Sequence, residues 1–145
     1  MTTICGDKDR LVADGMISDT DSKWVCHKIE RIGRGLYATA GSASEGERFY
    51  HWIRNGSPQT EKPVVTESFS ALELTAKGLF FYDSELFPNP LPNAHAIGSG
   101  AKAARAALMC GVGMVRAVEI ACELDANSGP PIQIVYLKQP KKEKV

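Results

Sequence analysis

The sequence lacks an excess of charge of either sign, a long hydrophobic run and an N-terminal signal. Its 17 basic residues balance 17 acidic ones, which argues against nucleic acid or an anionic membrane surface as a partner. No apolar run approaches the roughly 20 residues of a membrane span. Charged residues from Asp7 to Arg10 interrupt the N-terminus too early for a signal-peptide core. These absences predict a cytoplasmic protein with neither nucleic-acid nor membrane partners.

Paired cysteines and metal-ligand spacings are absent as well. The four cysteines have no CxxC spacing, and we expect them to be reduced and mostly small core residues: Cys5, Cys26, Cys110 and Cys122. The three histidines show no metal-ligand spacing either. The sequence therefore predicts no metal site and no cofactor.

Length and composition are typical of one soluble domain. With 145 residues, of which 43% are apolar, the chain is long enough to bury a core of its own. We therefore expect a single domain over residues 1–145. The basic C-terminus, with four lysines from Lys138 to Lys144, is predicted to be a disordered, solvated tail over residues 138–145.

Apolar periodicity and turn formers predict strands, a helix, more strands, two helices and a final strand. The first two strands form a hairpin around residues 6–9, and a polar turn at residues 18–23 leads to the next strands. Ser42 or Ser44 is expected to cap a helix that ends at Asn55-Gly56. A second hairpin turns at residues 76–78, and helices follow over residues 101–110 and 114–124. This order predicts an α+β fold with largely antiparallel pairing.

The N-terminus carries the residues with the most distinctive chemistry. Met1 is followed by Thr2, a small residue that usually permits removal of the methionine. Thr2 would then carry both a hydroxyl and a free α-amine. Because an α-amine titrates at roughly 7.7–8.0, it can take the hydroxyl proton near neutral pH and activate the nucleophile. A retained Met1 would block this route.

Short motifs follow one another in a characteristic order along the chain: Thr2-Thr3-Ile4, Val12-Ala13-Asp14-Gly15, Lys28-Ile29, Ala40-Gly41-Ser42-Ala43-Ser44-Glu45, Thr75-Ala76-Lys77-Gly78, Ala96-Ile97-Gly98-Ser99-Gly100 and Asp125-Ala126-Asn127-Ser128-Gly129. With these motifs the chain resembles the proteasome β-subunit family, in particular its HslV-type branch. The resemblance covers most of the chain. It implies a four-layer αββα sandwich of the N-terminal-nucleophile hydrolase type. The first helical layer would be shortened, because only one helix fits between Ser42 and Asn55.

The resemblance also implies a threonine endopeptidase and assigns roles within it. Thr2 would be the nucleophile and its own amine the general base. Lys28 would favour the deprotonated hydroxyl by its charge, and Asp14 would hold Lys28. The N–H of Gly41 would donate to the oxyanion. Three residues would support the amine and relay its proton: Ser99, Asp125 and Ser128.

The same alignment implies a pocket for the side chain before the scissile bond, lined by Ile17, Cys26, Glu30, Thr39, Ala43 and Glu47. Its two carboxylates would suit a basic side chain.

The resemblance further implies homo-oligomeric rings that enclose the sites and receive unfolded polypeptide. Because the chain contains no P-loop, unfolding would fall to a separate AAA+ ATPase. Two alternatives stay open: a catalytically inactive scaffold with the same fold, and an N-terminal-nucleophile amidase that acts on a small molecule.

Overall fold

The computed structural model describes residues 2–18 and 21–138. Met1, residues 19–20 and residues 139–145, which include nearly all of the basic tail, lie outside the described part. Within it, the strands are β1 Thr3–Gly6, β2 Arg10–Ala13, β3 Met16–Ser18, β4 Lys23–Val25, β5 Ile29–Ile32, β6 Gly35–Ala40, β7 Ser70–Thr75, β8 Gly78–Tyr82, β9 Asn89–Leu91, β10 His95–Gly98 and β11 Gln133–Tyr136. The helices are α1 Ala43–Arg54, α2 Ala101–Met109 and α3 Met114–Leu124, and a short 3₁₀ helix covers Gln59–Glu61.

The strands form two main antiparallel sheets and a separate ribbon. One sheet has the order β10-β1-β2-β11 and the other the order β5-β6-β7-β8-β9, while β3 and β4 pair with each other. Both predicted hairpins are present, as β1–β2 and β7–β8. The proline-rich segment after Phe87 forms β9, an edge strand, as expected for residues that cannot donate to a ladder.

Three apolar clusters show how the layers stack. One lies between the two main sheets and includes Ile4, Leu36 and Leu72. A second joins the first sheet to α2 and α3 through small side chains such as Ala104 and Ala117. A third cluster packs aromatic residues of α1 against the outer face of the second sheet, with Phe49, Trp52 and Tyr82 among its members. The order helix, sheet, sheet, helices is the predicted αββα sandwich.

The first helical layer is short, as predicted. It contains α1 alone, followed by a connector that we define as residues 57–69. Ser42 caps α1 in a capping box, in which its hydroxyl accepts from the Glu45 N–H and the Glu45 carboxylate accepts from the Ser42 N–H.

Strand β3 was not predicted, and Ser18, assigned to a polar turn, is its last residue. The three residues Met16, Ile17 and Ser18 are too few to show the alternation of a strand, and their pairing with β4 fixes the extended conformation. Within the described residues no helix is long and apolar enough to cross a membrane.

Candidate active site

Asp14 lies at the end of β2, where the chain leaves the first sheet, and its side chain is fully buried. Its Oδ1 accepts from the Thr2 hydroxyl at 2.7 Å and from the Thr3 N–H at 2.8 Å. Its Oδ2 accepts from the N–H groups of Gly129 at 3.0 Å and Met16 at 3.3 Å. A buried carboxylate needs such donors to replace water. Asp14 thereby joins the N-terminus to the segment before β11.

Lys28 reaches the same carboxylate from the segment between β4 and β5. Its Nζ lies 2.9 Å from Asp14 Oδ1, and its side chain is 7% exposed. The Lys28 backbone N–H donates to Gln133 Oε1 at 2.9 Å, which fixes the base of the side chain. Because Thr2 Oγ1 and Lys28 Nζ bind one oxygen atom, the ammonium lies beside the hydroxyl.

Two glycines allow β10 to approach the N-terminus closely. β10 pairs with β1 so that Gly98 faces Thr3. Gly98 has a φ of 100°, and a Cβ there would lie 1.9 Å from the Thr2 carbonyl oxygen. A Cβ on Gly100 would lie 2.0 Å from Thr3 Oγ1. No other residue type fits these two positions, which explains the Gly-Ser-Gly motif.

Ser99, Asp125 and Ser128 form one hydrogen-bond network around the first residues of β1. Asp125 Oδ2 accepts from the Ser99 hydroxyl at 2.5 Å and from the Ser128 hydroxyl at 2.6 Å. Burial alone would raise the pKa of Asp125, but the hydrogen bonds from Ser128, Ser99 and the Asn127 N–H outweigh it and hold the pKa below its usual value. The carboxylate is therefore ionised at neutral pH.

This network reaches the N-terminal residues at two points. Ser99 Oγ lies 3.4 Å from the Thr2 carbonyl oxygen. Ser128 Oγ lies 2.7 Å from Thr3 Oγ1. Thr3 was not among the residues singled out from the sequence. The available signal was its place in a buried strand, where a polar side chain needs a partner.

Gly41 stands between β6 and α1 and lines a cavity together with Thr2. Its φ of 134° is a conformation that favours glycine. The following turn is anchored by Glu45, whose Oε1 accepts from the Ser42 N–H at 3.3 Å. The other carboxylate oxygen accepts from the N–H and the hydroxyl of Thr66, so that Glu45 ties the connector to this turn.

The first cavity at Thr2 has a volume of about 390 Å³ and brings together all six residues predicted for the substrate pocket: Ile17, Cys26, Glu30, Thr39, Ala43 and Glu47. Both carboxylates are therefore in its wall. Glu30 also lies 3.9 Å from Arg54, in an exposed pair.

A second, larger cavity of about 920 Å³ also opens at Thr2 and was not predicted. It shares Gly41 and Ser42 with the first cavity, and its other walls include Ser99, Arg48 and the connector residue Thr66. It depends on the path of the connector, which sequence patterns do not predict. In the described part of the chain, no three His, Cys, Asp or Glu side chains are grouped so that they could hold a metal ion.

The site residues thus fall into two groups. Thr2, Asp14 and Lys28 meet at one carboxylate oxygen. Ser99 and Ser128 meet at Asp125, and their hydroxyls contact Thr2 and Thr3. Gly41 shares a cavity with Thr2. All seven residues that the sequence singled out for catalysis are therefore around the N-terminus.

Comparison with known proteins identifies the fold. Solved structures similar to this chain include Thiobacillus denitrificans BPH, with a TM-score of 0.69 and 18% sequence identity. The match covers 96% of this chain and 99% of that one. The same protein in complex with epoxomicin has a TM-score of 0.69 and 18% identity, with 95% and 99% covered. Eukaryotic HslV from Trypanosoma brucei has a TM-score of 0.69 and 19% identity, with 92% and 98% covered.

No protein-family model and no curated protein sequence matches the chain. At 18–19% identity, the likeness to solved structures is one of fold. It agrees with the layer order, the three helices and the antiparallel sheets described above. The chain therefore has the αββα fold of the proteasome β-subunits, of the HslV type.

Proposed function

We propose that this protein is a threonine peptidase whose nucleophile is Thr2 after removal of Met1. The observation that carries the proposal is the shared contact of the Thr2 hydroxyl and the Lys28 ammonium with Asp14 Oδ1, at 2.7 and 2.9 Å. A nucleophilic hydroxyl needs a base, and a nearby positive charge favours its deprotonated form. The free α-amine of Thr2 would supply the first and Lys28 the second.

The reaction proceeds in two halves. The Thr2 amine takes the proton of its own hydroxyl, and Oγ1 attacks the carbonyl carbon of the substrate. The Gly41 N–H donates to the oxyanion that forms. The amine then gives the proton to the leaving nitrogen, the C–N bond breaks, and an ester remains on Thr2. Water, deprotonated by the same amine, hydrolyses the ester and restores the hydroxyl.

Lys28 and Asp14 act on the nucleophile together. The positive charge of Lys28 favours the deprotonated hydroxyl in the transition state. Asp14 fixes Lys28 and also accepts from the Thr2 hydroxyl, so it holds the nucleophile in place before attack. The Ser99–Asp125–Ser128 network stands beside the same residue and would orient the amine.

Peptides with Arg or Lys before the scissile bond are the proposed substrates. The support is the first cavity at Thr2, which has the carboxylates of Glu30 and Glu47 in its wall. Two carboxylates in one wall favour a cation over a neutral side chain by charge complementarity.

We further propose that the active form is a homo-oligomeric ring. Exposed apolar side chains such as Trp24, at 49%, and Met109, at 86%, are ones that such a ring would cover. Symmetric closure is the rule for homo-oligomers. Short peptides would enter such a ring unaided, whereas a folded substrate would need a separate ATPase.

The test uses protein whose intact mass shows that it begins at Thr2, with an uncleaved N-terminal extension as the control. We expect hydrolysis of casein and of fluorogenic peptides by the first preparation and none by the second. A preparation with free Thr2 that hydrolyses nothing would favour the inactive scaffold. Hydrolysis of small amides alone, by a monomer or dimer, would favour the amidase. Native mass spectrometry gives the oligomeric state.

A further inference from the structure

The second cavity at Thr2 has a volume of about 920 Å³ and opens beside the proposed nucleophile. It shares Thr2, Gly41 and Ser42 with the first cavity, so the two cavities meet at the nucleophile and at the proposed oxyanion donor. A cavity of this size has room for a drug-sized ligand, and hence for a few residues of a peptide.

The strand order places the two cavities on opposite sides of Thr2. In the second sheet, β6 lies between β5 and β7. The first cavity takes Glu30 from β5, whereas the second takes Ser70 from β7. In the first sheet, β1 lies between β10 and β2. The second cavity takes Gly98 from β10, whereas the first takes Ile17 from β3, the strand that follows β2. A peptide that crosses Thr2 therefore has one side of its scissile bond in each cavity.

Arg48, an exposed residue of α1, is in the wall of the second cavity. Its Nη2 donates to the carbonyl oxygen of Val64 at 3.4 Å, which holds the side chain against the connector. A guanidinium has five N–H donors, so this contact leaves others for a ligand. Among the residues that the structure describes, no carboxylate forms an ion pair with Arg48. Glu47 and Glu61 share a different cavity with Arg48 and are not in this wall.

Glu45 is the other charged residue in the wall of the second cavity, and its carboxylate is occupied. It is 5% exposed. Its Oε1 accepts from the N–H and the hydroxyl of Ser42, and its Oε2 accepts from the N–H and the hydroxyl of Thr66. Its place in the first turn of α1 compensates its charge further. A ligand in this cavity therefore meets Arg48 as the accessible charge.

We propose that the second cavity binds the part of the peptide after the scissile bond and that Arg48 selects an acidic side chain within its first two residues. The inference rests on the proposed function and names a substrate class for the same site. A guanidinium can bind a carboxylate through two parallel N–H groups, which a neutral amide side chain does not match in charge. The preferred substrate then has a basic residue before the scissile bond and an acidic one after it.

The test uses internally quenched peptides with constant residues before the scissile bond and Asp, Asn or Lys at the first or second position after it. Their C-termini are amidated, so that the varied side chain supplies the only carboxylate on that side. Mass spectrometry of the products confirms the cleaved bond. We expect kcat/KM for Asp to exceed that for Asn roughly two- to fivefold at one of the two positions, the effect of an exposed charge pair.

Two substitutions of Arg48 test whether this residue is the cause. Arg48→Gln should remove the difference between the Asp and Asn peptides, and Arg48→Glu should reverse it in favour of Lys. Arg116→Gln is the control, because Arg116 lies on α3 and is in neither cavity at Thr2. It should keep the wild-type preference. Equal cleavage of the Asp and Asn peptides by wild type at both positions would overturn the inference, and so would an unchanged preference in Arg48→Gln.

A binding measurement separates this inference from the proposed function. Thr2→Ala lacks the proposed nucleophile, so fluorescence anisotropy can give the Kd of labelled, uncleaved peptides. We expect the Asp peptide to bind more tightly than the Asn peptide by the same factor, and Arg48→Gln added to Thr2→Ala to remove the difference. A wild-type protein with a free Thr2 and no peptidase activity would remove the proposed function but not this binding preference. Equal Kd values would overturn the inference even in an active peptidase.

Discussion

The carboxylate of Asp14 accepts a hydrogen bond from the hydroxyl of Thr2 at 2.7 Å, although Thr2 directly precedes β1 and Asp14 directly follows β2. The hairpin places them together because β1 and β2 pair with Ile4 opposite Ala13. The same Oδ1 atom accepts from the ammonium of Lys28, which lies between β4 and β5. One buried carboxylate therefore both stabilises the fold and positions the proposed nucleophile.

Asp14→Asn should destabilise the fold strongly. The substitution removes the negative charge from the ion pair of Lys28 and Asp14, whose side chains are 7% and 0% exposed. The NH₂ group of the new asparagine could also face the N–H groups of Thr3 and Gly129, which now donate to the carboxylate. Breaking a buried ion pair costs about 3–5 kcal/mol, and we expect a loss of that size in the free energy of unfolding in urea.

The matched control for Asp14 is Glu119→Gln, which breaks the exposed pair with Arg116 at 3.3 Å. Such a pair contributes about 0–1 kcal/mol. Equal effects of the two substitutions would contradict the view that Asp14 anchors the site.

Gly98→Ala should damage both stability and the site. Gly98 has a positive φ, and a Cβ there would lie 1.9 Å from the Thr2 carbonyl oxygen, so β1 and β10 would have to separate. Gly111→Ala is the control, because Gly111 has a φ of 86° and no atom within 4 Å of its Cβ position. We expect the control to lose about 1–2 kcal/mol through its backbone conformation alone.

Gly98→Ala should lose more free energy of unfolding in urea than Gly111→Ala. It should also abolish peptide hydrolysis under conditions where Gly111→Ala remains active. A Gly98→Ala protein with the stability and activity of the control would show that the close approach of β10 to Thr2 is not needed.

Glu45→Gln should change how stability depends on pH. The N–H of Thr66, with the hydroxyls of Thr66 and Ser42, lowers the pKa of Glu45 in the folded protein. Because the pKa of Glu45 is lower in the folded protein, its ionised form stabilises the fold at pH values above about 4.3, its pKa in the unfolded chain. This stabilisation is lost as the pH falls through the pKa of Glu45 in the folded protein. The urea midpoint of Glu45→Gln should therefore lie below that of wild type at pH 7.

The difference between wild type and Glu45→Gln should shrink as the pH falls from roughly 5 to 3. Glu67→Gln, in the exposed part of the same connector, serves as the control and should match wild type at pH 7. A Glu45→Gln deficit that stays constant with pH would contradict the assignment.

Selectivity for basic side chains should depend on the first cavity at Thr2. In a peptide panel that varies the residue before the scissile bond, we expect Arg and Lys to give the highest kcat/KM. Glu47→Gln and Glu30→Gln should each lower that preference by up to severalfold, because an exposed charge pair contributes at most about 1 kcal/mol. Equal cleavage of all peptides in the panel would contradict the proposed preference for Arg and Lys.

The order of strands and helices could be predicted from the sequence because its signals are local, whereas the layer order and the candidate catalytic residues came from motifs that resemble those of the proteasome β-subunit family. Turn residues mark both hairpins, and Ser42 with Glu45 marks the start of α1. The glycines of the Gly-Ser-Gly motif indicate that another segment packs closely against them, but they do not identify that segment. Strand β3 gave no signal, since three residues show too little periodicity.

Two long-range contacts were not predicted. The contact of Glu45 with Thr66 spans 21 residues and joins a helix cap to a part of the connector that has no helix or strand. The contact of Thr3 with Ser128 spans 125 residues. In both cases the polar side chain was visible in the sequence, but its partner depends on how the layers stack. The second cavity at Thr2 was missed for the same reason.

The most direct test of the account is the intact mass of the protein after incubation with epoxomicin, a compound that needs both a hydroxyl and a free amine to form its adduct. Protein that begins at Thr2 should gain one inhibitor per chain, located on Thr2. Thr2→Ala, which keeps a free amine and lacks the hydroxyl, should gain none, and neither should protein that retains Met1. An unmodified chain with a free Thr2, or an adduct on protein that retains Met1, would contradict the account.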